Sequence, residues 1–154
     1  MAKDRILAST MPGSTQQLVA ALRRALSERD EILEAYLFGS RARGDAHAMS
    51  DVDVAVYVDE SALPDAPFGY EADLAAACMN ALGTNRVDVV RLNRAGPLLY
   101  HRVLRDGIRI LSRNLQATTT REAYAVSRYC DYVPHLAKIE RVAAARVRAG
   151  ELGR

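Results

Sequence analysis

The chain has 154 residues, with 21 basic against 19 acidic groups, 49% apolar residues, 3 His, 2 Cys and no Trp. That length suits one domain of about 100–200 residues, large enough to bury a core without a disulfide or metal staple, and its composition excludes disordered, collagen-like and disulfide-rich classes. A net charge of +2 makes no case for nucleic-acid binding.

Ser14 is a good N-cap with Gln17 at the capping-box position, and Leu18, Val19, Leu22, Ala25 and Leu26 recur at helical spacing. A helix from about Thr15 to Arg29 is expected. Ile32 to Phe38 is a short apolar, aromatic run that ends at Gly39 and Ser40, and it reads as a strand. Arg41 to Ser50 is a polar connection with room for one helical turn. Asp51 to Val58 alternates cleanly, with Val52, Val54, Val56 and Val58 on one strand face and Asp51, Asp53, Ala55 and Tyr57 on the other. A helix follows from about Gly69 to Leu82, closed by Gly83. Arg86 to Leu92 is a third strand that carries Asp88 among valines. Pro97 suits an early position in a helix that runs to about Asp106, and Ile108 to Leu111 is a short edge-strand candidate. Thr119 with Glu122 forms a second capping box, opening a helical pattern to about Ala149. Pro134 inside that pattern predicts two helices or one kinked helix. Val126, Cys130, Val133, Ala137 and Val147 make its apolar stripe, while Arg121, Arg128, Arg141, Arg146 and Arg148 decorate the rest. Strands interleaved with helices give an α/β or α+β domain, a small mixed sheet with flanking helices.

Cys78 and Cys130 have no zinc-ligand spacing and suit a reducing compartment. No stretch reaches the length of a signal peptide core or a membrane span, so a soluble cytoplasmic protein without membrane contact is expected.

Two features carry chemistry. Asp51 and Asp53, at i and i+2 on a strand, would place their Cα atoms roughly 6.5–7 Å apart on one side. Carboxylates so placed can converge on divalent cations, and Mg²⁺ favours carboxylates together with phosphate oxygens and water. Asp88 adds a third carboxylate in a second valine-rich strand, where carboxylates are disfavoured without a reason. Gly39 and Ser40 follow a strand and open a short helical turn, a geometry that admits a phosphate close to backbone N–H groups. Arg41 and Arg43 are placed to neutralise it. His47, His101 and His135 are isolated and enter no nucleophile arrangement. Tyr124, Tyr129 and Tyr132 read as helix packing rather than a stacking platform.

Gly39-Ser40, ten residues, then Asp51-Val52-Asp53 resembles the signature of the polymerase-β-like nucleotidyltransferase superfamily. The string LFGSRARGDAHAMSDVDVAVYV (Leu37 to Val58) resembles its minimal nucleotidyltransferases, and RVDVVRLNRAGPLLYHRVLRDGIRIL (Arg86 to Leu111) is similar to the third carboxylate strand and following helix. RYCDYVPHLAKIE (Arg128 to Glu140) looks like the C-terminal pattern of the antitoxin group. The resemblance implies a minimal nucleotidyltransferase domain over 1–115 and a helical interaction element over 116–154. It implies two Mg²⁺ ions held by Asp51, Asp53 and Asp88, ATP bound by Gly39 and Ser40 with Arg41 and Arg43, and AMP transfer to a tyrosine of a cognate HEPN ribonuclease toxin. Nothing remains in the chain for an acceptor-selecting domain, so the acceptor is expected to be a protein that brings its own recognition surface. A homo-oligomer is compatible with this reading, and direct nucleic-acid binding is not expected. Two other readings stand beside it: a non-catalytic antitoxin that masks the toxin by binding, and a nucleotidyltransferase for small molecules such as antibiotics.

Overall fold

The computed structural model describes residues 13–150; the N-terminal segment read above for targeting signals lies largely outside them. Among the described residues the α-helices and strands follow in the order α1 (Thr15–Ser27), β1 (Ile32–Phe38), α2 (Ser40–Arg43), β2 (Val52–Val58), α3 (Tyr70–Leu82), β3 (Val87–Arg91), α4 (Pro97–Asp106), β4 (Ile108–Ser112) and α5 (Leu115–Arg148), with short 3-10 turns at Glu60–Ala62 and Leu92–Arg94. The strands form one mixed sheet in the order β3-β2-β1-β4. β1 runs antiparallel to β2 and β4, whereas β2 and β3 are parallel, as the intervening helix α3 allows. Among the described residues no helix is long and apolar enough to cross a membrane.

The alternation in β2 sorts the core into two. Val52, Val54, Val56 and Val58 face α1 and α3, packing with Leu18, Leu22, Leu26, Leu74 and Cys78. Ala55 and Tyr57 face the other side, with Tyr36 of β1, Leu92 just after β3, Tyr100 and Val103 of α4 and Ala125 of α5. Asp53 follows the phase of Ala55 and Tyr57, so the carboxylate face of the sheet is also the face on which α4 and α5 lie.

Local signals account for most boundaries. Ser14 and Gln17 make the expected capping box, Pro97 occupies the first turn of α4, and Gly83 closes α3 in the left-handed conformation. Helix α1 ends at Ser27, two residues earlier than expected. Arg113, beyond β4, donates to the carbonyls of Ser27 (2.9 Å), Arg29 (2.8 Å) and Ile32 (2.7 Å) and so satisfies the backbone where the chain leaves the helix.

The C-terminal segment departs further from its sequence pattern. Asn114, not Thr119, caps α5, accepting from Ala117 N–H at 3.0 Å. Thr119 donates back to the Leu115 carbonyl, and Glu122 is engaged by Tyr36 and Arg109. Pro134 lies inside one helix rather than between two. Its ring removes the N–H that would bond the carbonyl of exposed Cys130, a loss water can compensate at that position. The buried residues of α5 are Thr118 and Ala125; Val126, Val133 and Val147 of the expected stripe are 43%, 41% and 57% exposed. The neighbouring stripe is the one that packs: Ala125 joins Tyr36, Ala55, Tyr100 and Val103 where α5 lies against α4.

Candidate active site

β1 ends at Phe38, which pairs with Asp53 across the antiparallel ladder, and Asp53 pairs in turn with Asp88 across the parallel one. Gly39, one residue past Phe38, therefore arrives beside the Asp53 side chain. A Cβ built on Gly39 would overlap Asp53 Oδ2 and stand 3.0 Å from its Cγ, and φ here is +73°. Glycine is required twice over, by the left-handed backbone and by the carboxylate lying against Cα. In α2, Ala42 and Arg43 donate to the Gly39 carbonyl at 3.2 Å. The N–H groups at the open end of such a turn have no acceptor within it.

Asp53 is half-buried, while Asp51 and Asp88 are exposed. Burial first, and then the nearby Asp88 and Asp51 carboxylates, push the Asp53 carboxyl above its ordinary value; Arg43 pulls the other way. Asp51, expected within the strand, precedes it, since β2 begins at Val52. Asp51 and Asp88 line a polar depression of about 490 Å³ together with Asn85, Arg86 and Val87. Among the described residues no three His, Cys, Asp or Glu side chains close on a common point able to hold a metal ion. The donor set nevertheless suits a hard cation: three carboxylates, oxygen ligands only, mutually repelling at Asp53.

The arginines divide. Arg43 pairs with Asp45 at 3.2 Å and is electrostatically coupled to Asp53. Arg41 turns to the loop between α2 and β2, donating from Nη2 to the Ser50 carbonyl at 3.1 Å. Of the histidines, His47 is exposed in that loop, and His101 stacks on Tyr129 with ring centroids 3.7 Å apart. Tyr124, expected to pack, is 67% exposed. Sequence reading missed Asn85 and Arg86. Their only signal was position, immediately before the strand that carries Asp88.

A four-stranded mixed sheet with acidic residues at the junction of β1, β2 and β3, and a glycine-serine turn packed on one of them, defines a nucleotidyltransferase fold. The polymerase β nucleotidyltransferase family matches residues 21–116, and the chain belongs to it. No curated protein matches the chain. Among solved structures, it is similar to a chain of a toxin–antitoxin complex with AMP-PNP, at 25% identity and a TM-score of 0.68, covering 81% of this chain and 98% of that one. A chain from the complex of tri-AMPylated Shewanella oneidensis HEPN toxin with MNT antitoxin shares the fold at 23% identity and a TM-score of 0.64, covering 84% and 98%. A chain of the toxin–antitoxin MntA–HepT does so at 23% identity and a TM-score of 0.63, covering 83% and 98%.

Proposed function

We propose that this nucleotidyltransferase is the antitoxin of a toxin–antitoxin pair and transfers AMP from ATP to a tyrosine of a cognate HEPN ribonuclease toxin. The observation that carries the chemistry is the pairing of Asp53 with Asp88 in adjacent parallel strands, with Gly39 packed on Asp53. The partner and the nucleotide are supported by likeness to a chain from a toxin–antitoxin complex with AMP-PNP.

Asp51, Asp53 and Asp88 would hold Mg²⁺, which when bound neutralises triphosphate charge and stabilises the attacking and leaving oxygens. Gly39 and Ser40 offer backbone N–H groups and a hydroxyl to the triphosphate, and Arg43 adds a cation beside Asp53. Asp88, exposed on the edge strand β3, would receive the proton of the acceptor hydroxyl. The acceptor oxygen then bonds to the α-phosphorus as the bond to the β-phosphate oxygen breaks, and pyrophosphate leaves. Beyond the domain, the distal part of α5 carries exposed Ile139, Val142 and Val147, an apolar face flanked by Lys138 and Arg146 that suits contact with the toxin.

Incubation with labelled ATP, Mg²⁺ and the toxin should label the toxin on tyrosine and abolish its ribonuclease activity. A toxin neutralised by the intact chain with no label transferred would overturn the catalytic reading. It would leave the masking antitoxin, for which the exposed face of α5 is the supporting feature.

A further inference from the structure

Asp51 differs from the other two carboxylates in what holds it. Asp53 and Asp88 are set by the ladder between β2 and β3, whereas Asp51 precedes β2 and is exposed. Its direction depends on the end of the loop that leads into the strand, and two arginines from different elements grip that end. Arg41 of α2 donates to the Ser50 carbonyl, and Arg86, the residue before β3, donates from Nη1 to the Met49 carbonyl. On the far side of Asp51, Val52 N–H donates to the carbonyl of the same Arg86 at 2.9 Å. Arg86 thus bonds the chain on both sides of Asp51, once by side chain and once by backbone. The loop end is also braced within itself: Ser50 N–H donates to the His47 carbonyl at 2.9 Å, and His47 N–H donates to Ser50 Oγ at 2.8 Å.

We propose that Arg86, assisted by Arg41, is a positioning residue that aims the Asp51 carboxylate and ties it to the strand carrying Asp88. This rests on the Mg²⁺–nucleotide reading of the site. An exposed carboxylate at a loop end must otherwise be ordered each time a cation binds, at an entropic cost of the usual backbone and side-chain size. Holding the loop beforehand removes that cost from binding. Arginine suits the task, because it keeps its charge and makes a strong charge-assisted bond to a carbonyl.

The test uses Arg86→Gln, Arg86→Lys and Ser50→Ala, with Mg²⁺ titrated calorimetrically in saturating AMP-PNP and hydrogen exchange followed over residues 47–52. Arg86→Gln should weaken Mg²⁺ binding about tenfold, the lower end for losing a supporting residue, and should speed exchange in that segment but not in β1 or α3. Arg86→Lys, which still offers a cationic donor, should recover most of the affinity. Ser50→Ala loosens the loop without touching β3 and should shift both readouts in the same direction, which keeps the test open should Arg86→Gln fail to fold. Unchanged Mg²⁺ affinity in folded Arg86→Gln, or in Ser50→Ala if the former does not fold, overturns the proposal. A wild-type chain that binds no Mg²⁺–AMP-PNP would instead overturn the proposed function. The bracket would then stand or fall on whether exchange over 47–52 responds to Arg86→Gln.

Discussion

At Asp53, stability and chemistry pull in opposite directions. Its carboxyl is pushed up by burial and by two like charges. A group whose folded value is raised contributes stability that is complete below its unfolded value and is lost as pH rises through the folded one. Ionisation of Asp53 therefore destabilises the metal-free protein. Asp53→Asn should raise the melting temperature in EDTA while weakening Mg²⁺–nucleotide binding by more than the roughly 10–100-fold typical of a supporting residue; a lower melting temperature would refute the assignment of strain to this carboxylate. Gly39→Ala acts on the same group from outside. Its methyl would displace Asp53 and sit at a φ that side chains rarely adopt, so it should lose both stability, by about 1 kcal/mol or more, and nucleotide affinity. Chemical denaturation and calorimetry on the same sample separate the two effects. The sequence marks Gly39 and Asp53 as a pair by their spacing, but their contact comes only from the ladder that sets Phe38 opposite Asp53.

At the scale of elements, α5 is bolted to the sheet by polar groups as well as by Ala125. Glu34, fully buried in β1, pairs with Arg121 of α5, whose guanidinium also lies 4.7 Å from the Tyr57 ring centroid. The Tyr36 hydroxyl lies 2.9 Å from both Glu34 and Glu122, and burial together with these carboxylates holds its phenol far above the usual value. Arg121→Met would leave the Glu34 carboxylate buried without its cation and should cost about 3–5 kcal/mol in urea denaturation. Changing Glu34 to Gln as well should return a large part of that loss; a double variant no better than the single one would show that the pair contributes through packing alone. None of this was legible in the sequence. Glu34 reads there as one acid in an apolar strand, and its partner lies 87 residues away.

At the scale of the whole molecule, the two parts of α5 have different surroundings. Thr118, Arg121, Ala125 and Tyr129 engage the domain, whereas every described residue from 138 onward is exposed. A chain ending after Asp131 should keep its cooperative melt and its Mg²⁺–AMP-PNP affinity while losing toxin affinity about tenfold or more, as expected for removing clustered apolar contacts at an interface. Undiminished toxin binding would place the interface elsewhere. A chain ending after Leu115 strips Glu34 and Tyr36 of their partners and should lose the cooperative melt, seen by circular dichroism.

The sequence by itself determined the alternation of strands and helices, the capping of α1, the termination of α3 and α4, and the grouping of Gly39, Ser40, Asp51 and Asp53 by spacing. These are properties of short stretches, governed by periodicity, caps and glycine geometry, and they are readable locally. Tertiary structure alone decided that Asp88 stands in register with Asp53, that Asp51 lies outside the ladder under the hold of Arg86, that Arg113 ends α1, and that α5 starts at Asn114 and packs by Ala125 rather than by the Val126 stripe. Each of those depends on which distant group fills a space or satisfies a backbone carbonyl. That is set by packing between elements, which no local pattern encodes.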